Sequence, residues 1–343
     1  MEALVIHAPG DLRVEEVPTP ELEAGQLLVR VRCGGICGSD LHYYQHGGFG
    51  TVRIQEPMVL GHEVAGMIEA VGAGTSFKAG ERVAISPSRP CGRCQYCQQG
   101  LQNHCLDMRY YGSAMRTPHV QGAFRQQMVV EQWQAHRLAD SVSDGEGSMA
   151  EPLSVALHAV RRAGSLLGKR VLVTGCGPIG ALAIIAARRA GATHIVATDV
   201  GSHTLGKALK VGADEVVNVA EQPDGLARFT ADKGSFDVLF EASGNERALR
   251  GAFDAIRPRG IIVQLGLGGE MALPINTIVA KEFDLRGAFR FHEEFAVAVE
   301  LLNKGLVDVK PLISATLSYR DSARAFALAA DRTQAMKVLL NFD

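Results

Sequence analysis

Hydrophobic and polar residues form short alternating runs over roughly the first 150 residues of the chain. Five runs have this β-type pattern: residues 3–6, 26–33, 64–71, 82–86 and 124–130. Glycine, proline and other turn residues separate them. This arrangement is typical of a compact, mainly β domain.

The pattern changes at Glu151, where the segment EPLSVALHAVRRAG has apolar residues at helical spacing. Leu153, Ala156, Leu157 and Val160 form the apolar stripe. We expect an amphipathic helix with Pro152 at its first position, where a missing N–H is harmless. Glu151 at the helix start either stabilises the helix dipole or faces a bound ion.

Strands and helices then alternate. Strands are predicted at 170–174, 194–199, 215–219, 238–243, 260–266 and 285–290, with helical segments such as 246–256 between them. The alternation predicts an α/β fold with a doubly wound parallel sheet. Two further helices, 294–303 and 321–330, and a strand at 337–341 are expected to pack back on the first domain. We therefore assign 1–152 with 291–343 to one domain and 153–290 to the other.

Composition narrows the class of ligand. The chain has 343 residues, 47% hydrophobic and 21% charged, with a net charge of -2, which argues against disorder and against a nucleic-acid partner. The first residues lack the pattern of a signal peptide, and no apolar run approaches the ~20 residues of a membrane span. We expect a soluble, cytoplasmic protein that acts on a small molecule.

A glycine-rich turn joins the first strand of the second domain to its helix. Gly175, Gly177 and Gly180 have the spacing G-x-G-x-x-G, and Asp199 follows 19 residues after the last glycine. In this strand–turn–helix context the motif predicts a dinucleotide site, with the pyrophosphate at the helix N-terminus and Asp199 on the adenosine ribose. No Arg or Lys occurs between Asp199 and Lys207, which favours NAD over NADP.

The rest of the cofactor site is expected at the carboxyl ends of the strands, although simple turns explain the glycines there equally well. The predicted contacts besides the three glycines and Asp199 are Pro178, Ile179, Ser243, Leu265, Gly266, Leu267, Phe289 and Arg290.

Four of the seven cysteines lie close together in the first domain. Cys91, Cys94, Cys97 and Cys105 have the spacing C-x2-C-x2-C-x7-C. Four thiolates satisfy a tetrahedral zinc and leave no open position, so this zinc has a structural role. An iron–sulfur cluster is the main alternative, and the absence of a Cys-Pro ending weighs against it.

Another group of potential ligands lies earlier in the chain. The stretch GGICGSDLHYYQ places Cys37 before Ser39, His42 and Tyr43, and His62 and Glu63 follow Gly61. A thiol, an imidazole and a carboxylate suit one metal ion. Taken one at a time, however, Cys37 reads as a buried apolar cysteine and His62 as a core histidine.

The loop DMRYYGSAMRTPH contains three residues that suit an anionic ligand: Arg109, Arg116 and His119. Solvated surface arginines are the more frequent case, so the pattern alone leaves both interpretations open.

Together these motifs resemble those of the zinc-containing medium-chain alcohol and sorbitol dehydrogenases. GGICGSDLH, GHEVAG, the four-cysteine lobe, EPLSVALHA and VTGCGPIG occur in the family's order, and the resemblance covers essentially the whole chain. It implies a GroES-like catalytic domain, a Rossmann domain, two zinc ions per chain and NAD. Finer features, such as PMVLGHE and RGAFRF, resemble the branch that oxidises the sugar acid L-idonate.

The resemblance implies roles for individual residues. Cys37 and His62 would bind the catalytic zinc, with Glu63 or Glu151 as the carboxylate ligand. Ser39 would contact the substrate oxygen, and the proton would pass through the nicotinamide ribose and His42 to solvent. Glu151 is also counted among the catalytic residues.

An acidic sugar requires a cation in the pocket. Arg290, Arg109, Arg116 and His119 are the candidates in that order, and Tyr43 is expected to bind hydroxyl groups. The expected reaction is the reversible oxidation of a secondary hydroxyl of a sugar acid. The alternatives are a sorbitol- or xylitol-type polyol dehydrogenase and, more remotely, a zinc-bearing binding protein without turnover. A homodimer or homotetramer is expected.

Overall fold

The computed structural model describes all residues, Met1–Asp343. The strands are β1 Glu2–Ala8, β2 Asp11–Glu16, β3 Gln26–Gly35, β4 Gly48–Phe49, β5 Val52–Arg53, β6 Met58–Val59, β7 Glu63–Val71, β8 Arg82–Ile85, β9 Ser88–Arg89, β10 Arg109–Tyr110, β11 Gln127–Glu131, β12 Ala135–Arg137, β13 Arg170–Thr174, β14 His194–Asp199, β15 Glu215–Asn218, β16 Phe236–Glu241, β17 Ile256–Gln264, β18 Asp284–Gly287, β19 Ile313–Ser318 and β20 Lys337–Asn341. The α-helices are α1 Gly38–His46, α2 Gln95–Gln98, α3 Asp144–Ser148, α4 Ala150–Ala163, α5 Pro178–Arg189, α6 Ser202–Lys210, α7 Glu246–Ala252, α8 Ile275–Lys281, α9 Glu294–Asn303 and α10 Ser322–Ala330.

The first domain is built on a seven-stranded sheet. Its order is β12-β8-β7-β3-β20-β19, and β11 also pairs with β3. The inward side chains of β3, among them Leu27, Val29 and Val31, are fully buried, as period-two alternation requires. β20 lies antiparallel to β3, with Leu340 opposite Gly34. The last strand of the chain therefore belongs to the sheet of the first domain.

The second domain contains a parallel six-stranded sheet of order β15-β14-β13-β16-β17-β18. The strand order reverses between β13 and β16. Ligands of doubly wound sheets bind in the crevice at such a point, beyond the carboxyl ends of the strands. The predicted fold class, a Rossmann sheet with a mainly β domain, is confirmed.

Two local expectations differ from the structure, and one helix was not predicted. The stretch after Cys37 is a helix, α1, although its apolar pattern is too weak to predict one. The helix α4 begins at Ala150, so Pro152 is its third residue; the first four N–H groups of a helix have no intrahelical acceptor, so proline is tolerated there too. The strand β18 ends at Gly287, and Arg290 lies beyond it with a φ of 54°.

The two domains are joined along α4 and α9. Nδ1 of His158 lies 3.1 Å from Oε1 of Glu294, and Nη1 of Arg161 donates to the same oxygen over 3.0 Å. No helix of the structure has both the length and the apolar character needed to cross a bilayer.

Candidate active site

The backbone around Cys37 is organised by a buried carboxylate, Asp40. Cys37 is the N-cap residue of α1, and its N–H donates to Oδ2 of Asp40 over 3.0 Å. The N–H of Gly61 donates to Oδ1 over 3.1 Å. Asp40 is completely buried, so it holds the loop before His62 against the start of α1.

Cys37, His62 and Glu63 come together at this point. Their ligand atoms all lie within 4.8 Å of one another. Nδ1 of His62 is buried without a hydrogen-bond partner and lies 3.9 Å from Oδ1 of Asp40, on the side of the carboxylate that supports this part of the site. A thiolate, an imidazole and a carboxylate are the ligand types that zinc takes in catalytic sites.

The electrostatics of the cluster favour a cation. Burial lowers the pKa of His62, but the negative charges of Cys37 and Asp40 outweigh it and raise the pKa to about 10. A proton on the imidazole or a metal ion bound to it relieves the same excess of negative charge. The residues present therefore fit a bound zinc ion.

Lys337 approaches the cluster from β20. Its ammonium donates to Oε2 and Oε1 of Glu63 over 2.7 and 2.8 Å and to the carbonyl of Ile36 over 3.1 Å. The side chains of Lys337 and Glu63 are 2% and 1% exposed. Burial lowers the pKa of Lys337, but the Glu63 carboxylate overcomes that effect and the pKa is raised.

Glu151 lies at the edge of the cluster, in the first turn of α4. It is buried, and Oε1 accepts a hydrogen bond from the hydroxyl of Tyr110. The Tyr110 ring centroid is 5.7 Å from that of His62. Burial raises the pKa of Glu151, while the charge of His62 opposes the shift. The set of three close ligand atoms does not include Glu151.

Ser39 and His42 lie three residues apart on α1 and so share one face of the helix. Ser39 is half-buried and His42 is exposed. Partial desolvation of the ring, followed by repulsion from His46 and Arg332, lowers the pKa of His42. A neutral imidazole at the surface can accept a proton and release it to water.

Arg290 lies over the Tyr110 ring, with its guanidinium carbon 4.3 Å from the ring centroid. Its guanidinium has no carboxylate within ion-pair distance, and its one side-chain hydrogen bond runs to Sδ of Met115 over 3.0 Å. Tyr43 is almost fully buried and its hydroxyl accepts a bond from the N–H of Ala114 over 3.0 Å. Burial raises the pKa of Tyr43, and Arg290 is close enough to oppose that shift.

The other predicted substrate contacts have different surroundings from Arg290. Arg109 is exposed, and in β10 its side chain points away from the face that Tyr110 occupies. Arg116 donates to the carbonyls of Leu106 and Met108. His119 uses both ring nitrogens, since Nε2 accepts from the N–H of Gln55 over 2.9 Å and Nδ1 lies 2.7 Å from the carbonyl of Arg116. The polar groups of Arg116 and His119 thus hold the loop together, and their contact with the substrate stays a prediction.

The second cysteine group is also assembled. The sulfurs of Cys91, Cys94, Cys97 and Cys105 lie within 4.8 Å of one another. Backbone N–H groups point at the sulfurs, for example that of Cys91 toward Sγ of Cys105 over 3.1 Å. Backbone hydrogen bonds lower the pKa of Cys94 to about 6. Four sulfurs with thiolate-stabilising donors fit a structural zinc.

The glycine-rich turn leaves space for a ligand at one position only. A Cβ on Gly180 would lie 1.8 Å from the carbonyl oxygen of Gly175, and one on Gly175 would lie 2.6 Å from the nitrogen of Ser243. A Cβ on Gly177 would meet no atom within 4 Å. The open space is beside the N-terminus of α5, which begins at Pro178 and Ile179, and this fits a bound pyrophosphate.

Asp199 is fixed at the end of β14. Its Oδ2 accepts from the N–H of Cys176 over 2.6 Å, and Oδ1 accepts from the N–H groups of Val200 and Gly201 over 2.7 and 2.9 Å. The carboxylate is only half-buried. It is therefore oriented by the backbone and still accessible to a ribose.

The remaining predicted cofactor contacts border the crevice. Ser243 follows β16, while Leu265, Gly266 and Leu267 follow β17. The Leu267 side chain is 83% exposed. Phe289 is 43% exposed, and its carbonyl accepts a bond from Nδ2 of Asn103 over 3.0 Å.

A buried carboxylate, Glu241, holds together the loops that border the crevice. It accepts from the N–H of Ser243 over 2.8 Å and from that of Gly244 over 3.1 Å, and Nε2 of Gln264 donates to it over 2.5 Å. The loops after β16 and β17 are thus held together by one side chain.

Sequence reasoning missed Asp40, Tyr110, Lys337 and Glu241. Asp40 had a signal, because an acid three residues after a helix N-cap is typical of a capping box. Lys337 and Glu241 each occur in an apolar strand, and a charged residue there requires a buried partner. Tyr110 had no signal beyond lying in an aromatic pair with Tyr111.

The fold and the two cysteine-containing sites define the class of protein. Residues 23–140 match the alcohol dehydrogenase GroES-like domain, and residues 178–304 match the zinc-binding dehydrogenase family. The chain belongs to the zinc-binding alcohol and polyol dehydrogenases, and the family predicted from the sequence is confirmed.

Individual relatives are similar over nearly the whole chain. The L-idonate 5-dehydrogenase (NAD(P)(+)) of Escherichia coli is 45% identical over 92% of this chain and 91% of the relative. The sorbitol dehydrogenase of Bacillus subtilis is 36% identical over 99% of this chain and 97% of the relative. The crystal structure of the Escherichia coli L-idonate 5-dehydrogenase matches with a TM-score of 0.95 and 42% identity over 99% of this chain and 97% of that one.

Proposed function

We propose that the protein catalyses the NAD-dependent, reversible oxidation of a secondary hydroxyl of a sugar acid, most specifically of L-idonate to 5-keto-D-gluconate. The similarity to L-idonate 5-dehydrogenases of Escherichia coli and, at 37% identity over 96% of this chain and 92% of the relative, of Vitis vinifera supports the substrate class. The observation that carries the proposal is the half-buried Arg290 guanidinium, which has no carboxylate partner.

Arg290 has a positive charge without a carboxylate partner, half-buried beside the ligand cluster. The Tyr110 ring beneath its guanidinium stabilises a cation, but burial still lowers the pKa of Arg290. A half-buried guanidinium without a carboxylate partner is stabilised best by an anionic ligand that accepts two hydrogen bonds from it. A sugar carboxylate has that geometry, and a neutral polyol does not.

In the proposed mechanism, Cys37, His62 and Glu63 hold the catalytic zinc. When bound, the metal lowers the pKa of a coordinated hydroxyl and stabilises the negative charge on its oxygen. Ser39 relays the proton: its oxygen accepts the proton of the substrate hydroxyl as its own hydroxyl proton moves on toward His42, which lies on the same face of α1 and passes it to water. Arg290 binds the carboxylate, and the hydroxyl of Tyr43 can donate to a sugar hydroxyl.

NAD is proposed in preference to NADP. Asp199 carries a negative charge where a 2′-phosphate would otherwise lie. The nearest downstream cation, Lys207, donates its ammonium to the carbonyl of Pro311 over 2.5 Å, so it is committed elsewhere. The fitting hydride acceptor is therefore the nucleotide with a free 2′-hydroxyl.

The test is a substrate panel followed by NADH absorbance, with L-idonate, sorbitol and xylitol, each run with NAD+ and NADP+. We expect Arg290→Ala to lower kcat/KM for L-idonate by about 10- to 100-fold, as loss of a charge-assisted contact implies, and to spare sorbitol. Arg259→Ala is the matched control, because the side chain of this arginine in β17 is 84% exposed and should affect neither substrate. An equal loss on acid and polyol in Arg290→Ala would remove the carboxylate role.

The second candidate is a polyol dehydrogenase. It is favoured by the similarity to the Bacillus subtilis sorbitol dehydrogenase, which extends over 99% of this chain. The fold and both zinc sites would be unchanged. Turnover of sorbitol or xylitol faster than L-idonate in the same panel would establish it.

We also propose that the chain forms a homodimer or homotetramer in the cytoplasm. The outer edge of β18 has no neighbouring strand, and Leu285 on this strand is 43% exposed. An open edge with apolar side chains invites pairing with a second copy. Sedimentation of the native chain should give a mass of two or four subunits, and Leu285→Glu should lower it.

For the domains we propose that residues 1–152 and 291–343 form one domain and that residues 153–290 form the other. The pairing of β20 with β3 supports this division.

A further inference from the structure

Tyr110 connects three parts of the site that come from different segments of the chain. Its side chain is buried, its hydroxyl donates to Oε1 of Glu151, and its ring lies close to both His62 and Arg290. The centroid separation from the His62 ring is 5.7 Å, and Arg290 is 4.3 Å above the ring. The phenol is therefore fixed in position by contacts on its ring and at its hydroxyl.

The bond from Tyr110 is the only protein hydrogen bond that the Glu151 carboxylate receives. Glu151 is buried, and the phenol that binds it has its ring centroid 5.7 Å from that of His62. Without the hydroxyl, the carboxylate would be a buried acceptor with no donor. A bound metal ion would then compensate its charge.

The charge of Glu63, unlike that of Glu151, is compensated by a cation. Both Glu63 oxygens accept hydrogen bonds from the Lys337 ammonium, and Glu63 also belongs to the close set of ligand atoms with Cys37 and His62. That set already supplies the three protein ligands of a catalytic zinc. A fourth protein ligand would close the position that the substrate hydroxyl must take.

We propose that Tyr110 is a positioning residue that keeps Glu151 out of the metal's ligand set and so keeps the substrate position open. The inference rests on the zinc site of the proposed function but not on the identity of the sugar. The Arg290 guanidinium stacks on the same ring, so the residue proposed to recognise the substrate charge also restrains the side chain that holds Glu151.

Tyr110→Phe removes the hydroxyl and keeps the ring. Tyr111→Phe is the matched control, because the neighbouring buried phenol donates to Oε1 of Gln134 over 3.1 Å and not to Glu151. Zinc content comes first. Fewer than two zinc ions in the native chain would contradict the proposed function itself, independently of Tyr110.

Zinc release to a coloured chelator is then followed without substrate or cofactor, and the catalytic phase is identified as the one missing in Cys37→Ser. We expect Tyr110→Phe to slow this phase by about 10- to 100-fold, which is the usual effect on metal affinity of losing a group that hydrogen-bonds to a metal ligand. Tyr111→Phe should release zinc at the native rate. A cobalt-substituted Tyr110→Phe chain should show the weaker visible bands of a higher coordination number.

A double variant decides whether Glu151 is responsible. Glu151→Gln cannot act as an anionic ligand, so Tyr110→Phe with Glu151→Gln should release zinc at the rate of Glu151→Gln alone. Faster zinc release in Tyr110→Phe, an unchanged rate, or a slow phase that persists in the double variant would each overturn the proposal. Turnover adds a separate readout, since kcat of Tyr110→Phe should fall while its melting temperature stays near that of Tyr111→Phe.

Discussion

The ammonium of Lys337, the first residue of β20, lies 2.7 Å from Oε2 of Glu63 at the start of β7, and both side chains are almost fully buried. The pair joins β20 to the strand that carries a proposed zinc ligand. The carboxylate is thereby balanced by a fixed charge whether or not a metal is bound.

Removing one partner of this pair should be costly. Lys337→Met leaves a buried carboxylate without its cation, and we expect the free energy of unfolding to fall by about 3–5 kcal/mol. Chemical denaturation of the metal-loaded chain measures it. Lys304→Met is the matched control, because the Lys304–Glu300 pair is exposed on α9 and its loss should produce no measurable change. A similar stability for both variants would show that the buried pair contributes little.

The glycine-rich turn allows folding and binding to be separated. Gly177→Ala places a methyl group where no protein atom lies within 4 Å, so the melting temperature should stay unchanged while NAD+ affinity falls. Gly180→Ala brings a methyl to 1.8 Å from the Gly175 carbonyl and should lower the melting temperature as well. Calorimetry and NAD+ titration of both variants test this. Normal NAD+ affinity in Gly177→Ala would mean that the pyrophosphate does not occupy the open space.

The four-cysteine lobe should bind its zinc independently of turnover. Cys97→Ser is expected to lower the zinc content from two ions per chain to one and to increase proteolysis between 91 and 105, because the lobe has a core of only four buried residues. Cys176→Ser is the control, since this buried cysteine has no partner cysteine nearby and should leave the zinc content unchanged. Iron in the purified chain instead of zinc would support an iron–sulfur cluster.

His42 should determine the acidic limb of the pH profile. Its pKa is lowered by partial desolvation and by His46 and Arg332, so the ring is neutral and able to accept a proton down to a pH below its ordinary 6.5. The oxidation rate should fall only below that point. His42→Gln should cost less than about 100-fold in kcat, because water can reach the position of this exposed side chain.

His46→Gln tests the cause of this shift. Removing a positive neighbour raises the pKa of His42, so the acidic limb should move to higher pH while kcat at alkaline pH is unchanged. An acidic limb that stays in place would exclude repulsion from His46 as a cause.

The sequence predicted much of this protein because its strongest signals are local. Period-two alternation predicted β3 and β7, and the G-x-G-x-x-G motif between β13 and α5 predicted both the fold and the open position at Gly177. The four-cysteine spacing predicted the sulfur cluster, since short loops confine the ligands to one place. In each case the residues that interact are close neighbours in sequence.

The tertiary structure decided what depends on distant segments. Glu63 and Lys337 are 274 residues apart, and Tyr110 reaches Glu151 across 41, so no local pattern reveals either contact. It also separated the candidate cations, because only the backbone beyond β18 turns Arg290 over Tyr110, while Arg116 and His119 satisfy nearby backbone groups. By itself the sequence determined the elements and the chemistry of their motifs. Which charges are buried together, and which remain free for a ligand, depended on how the two sheets bring remote strands side by side.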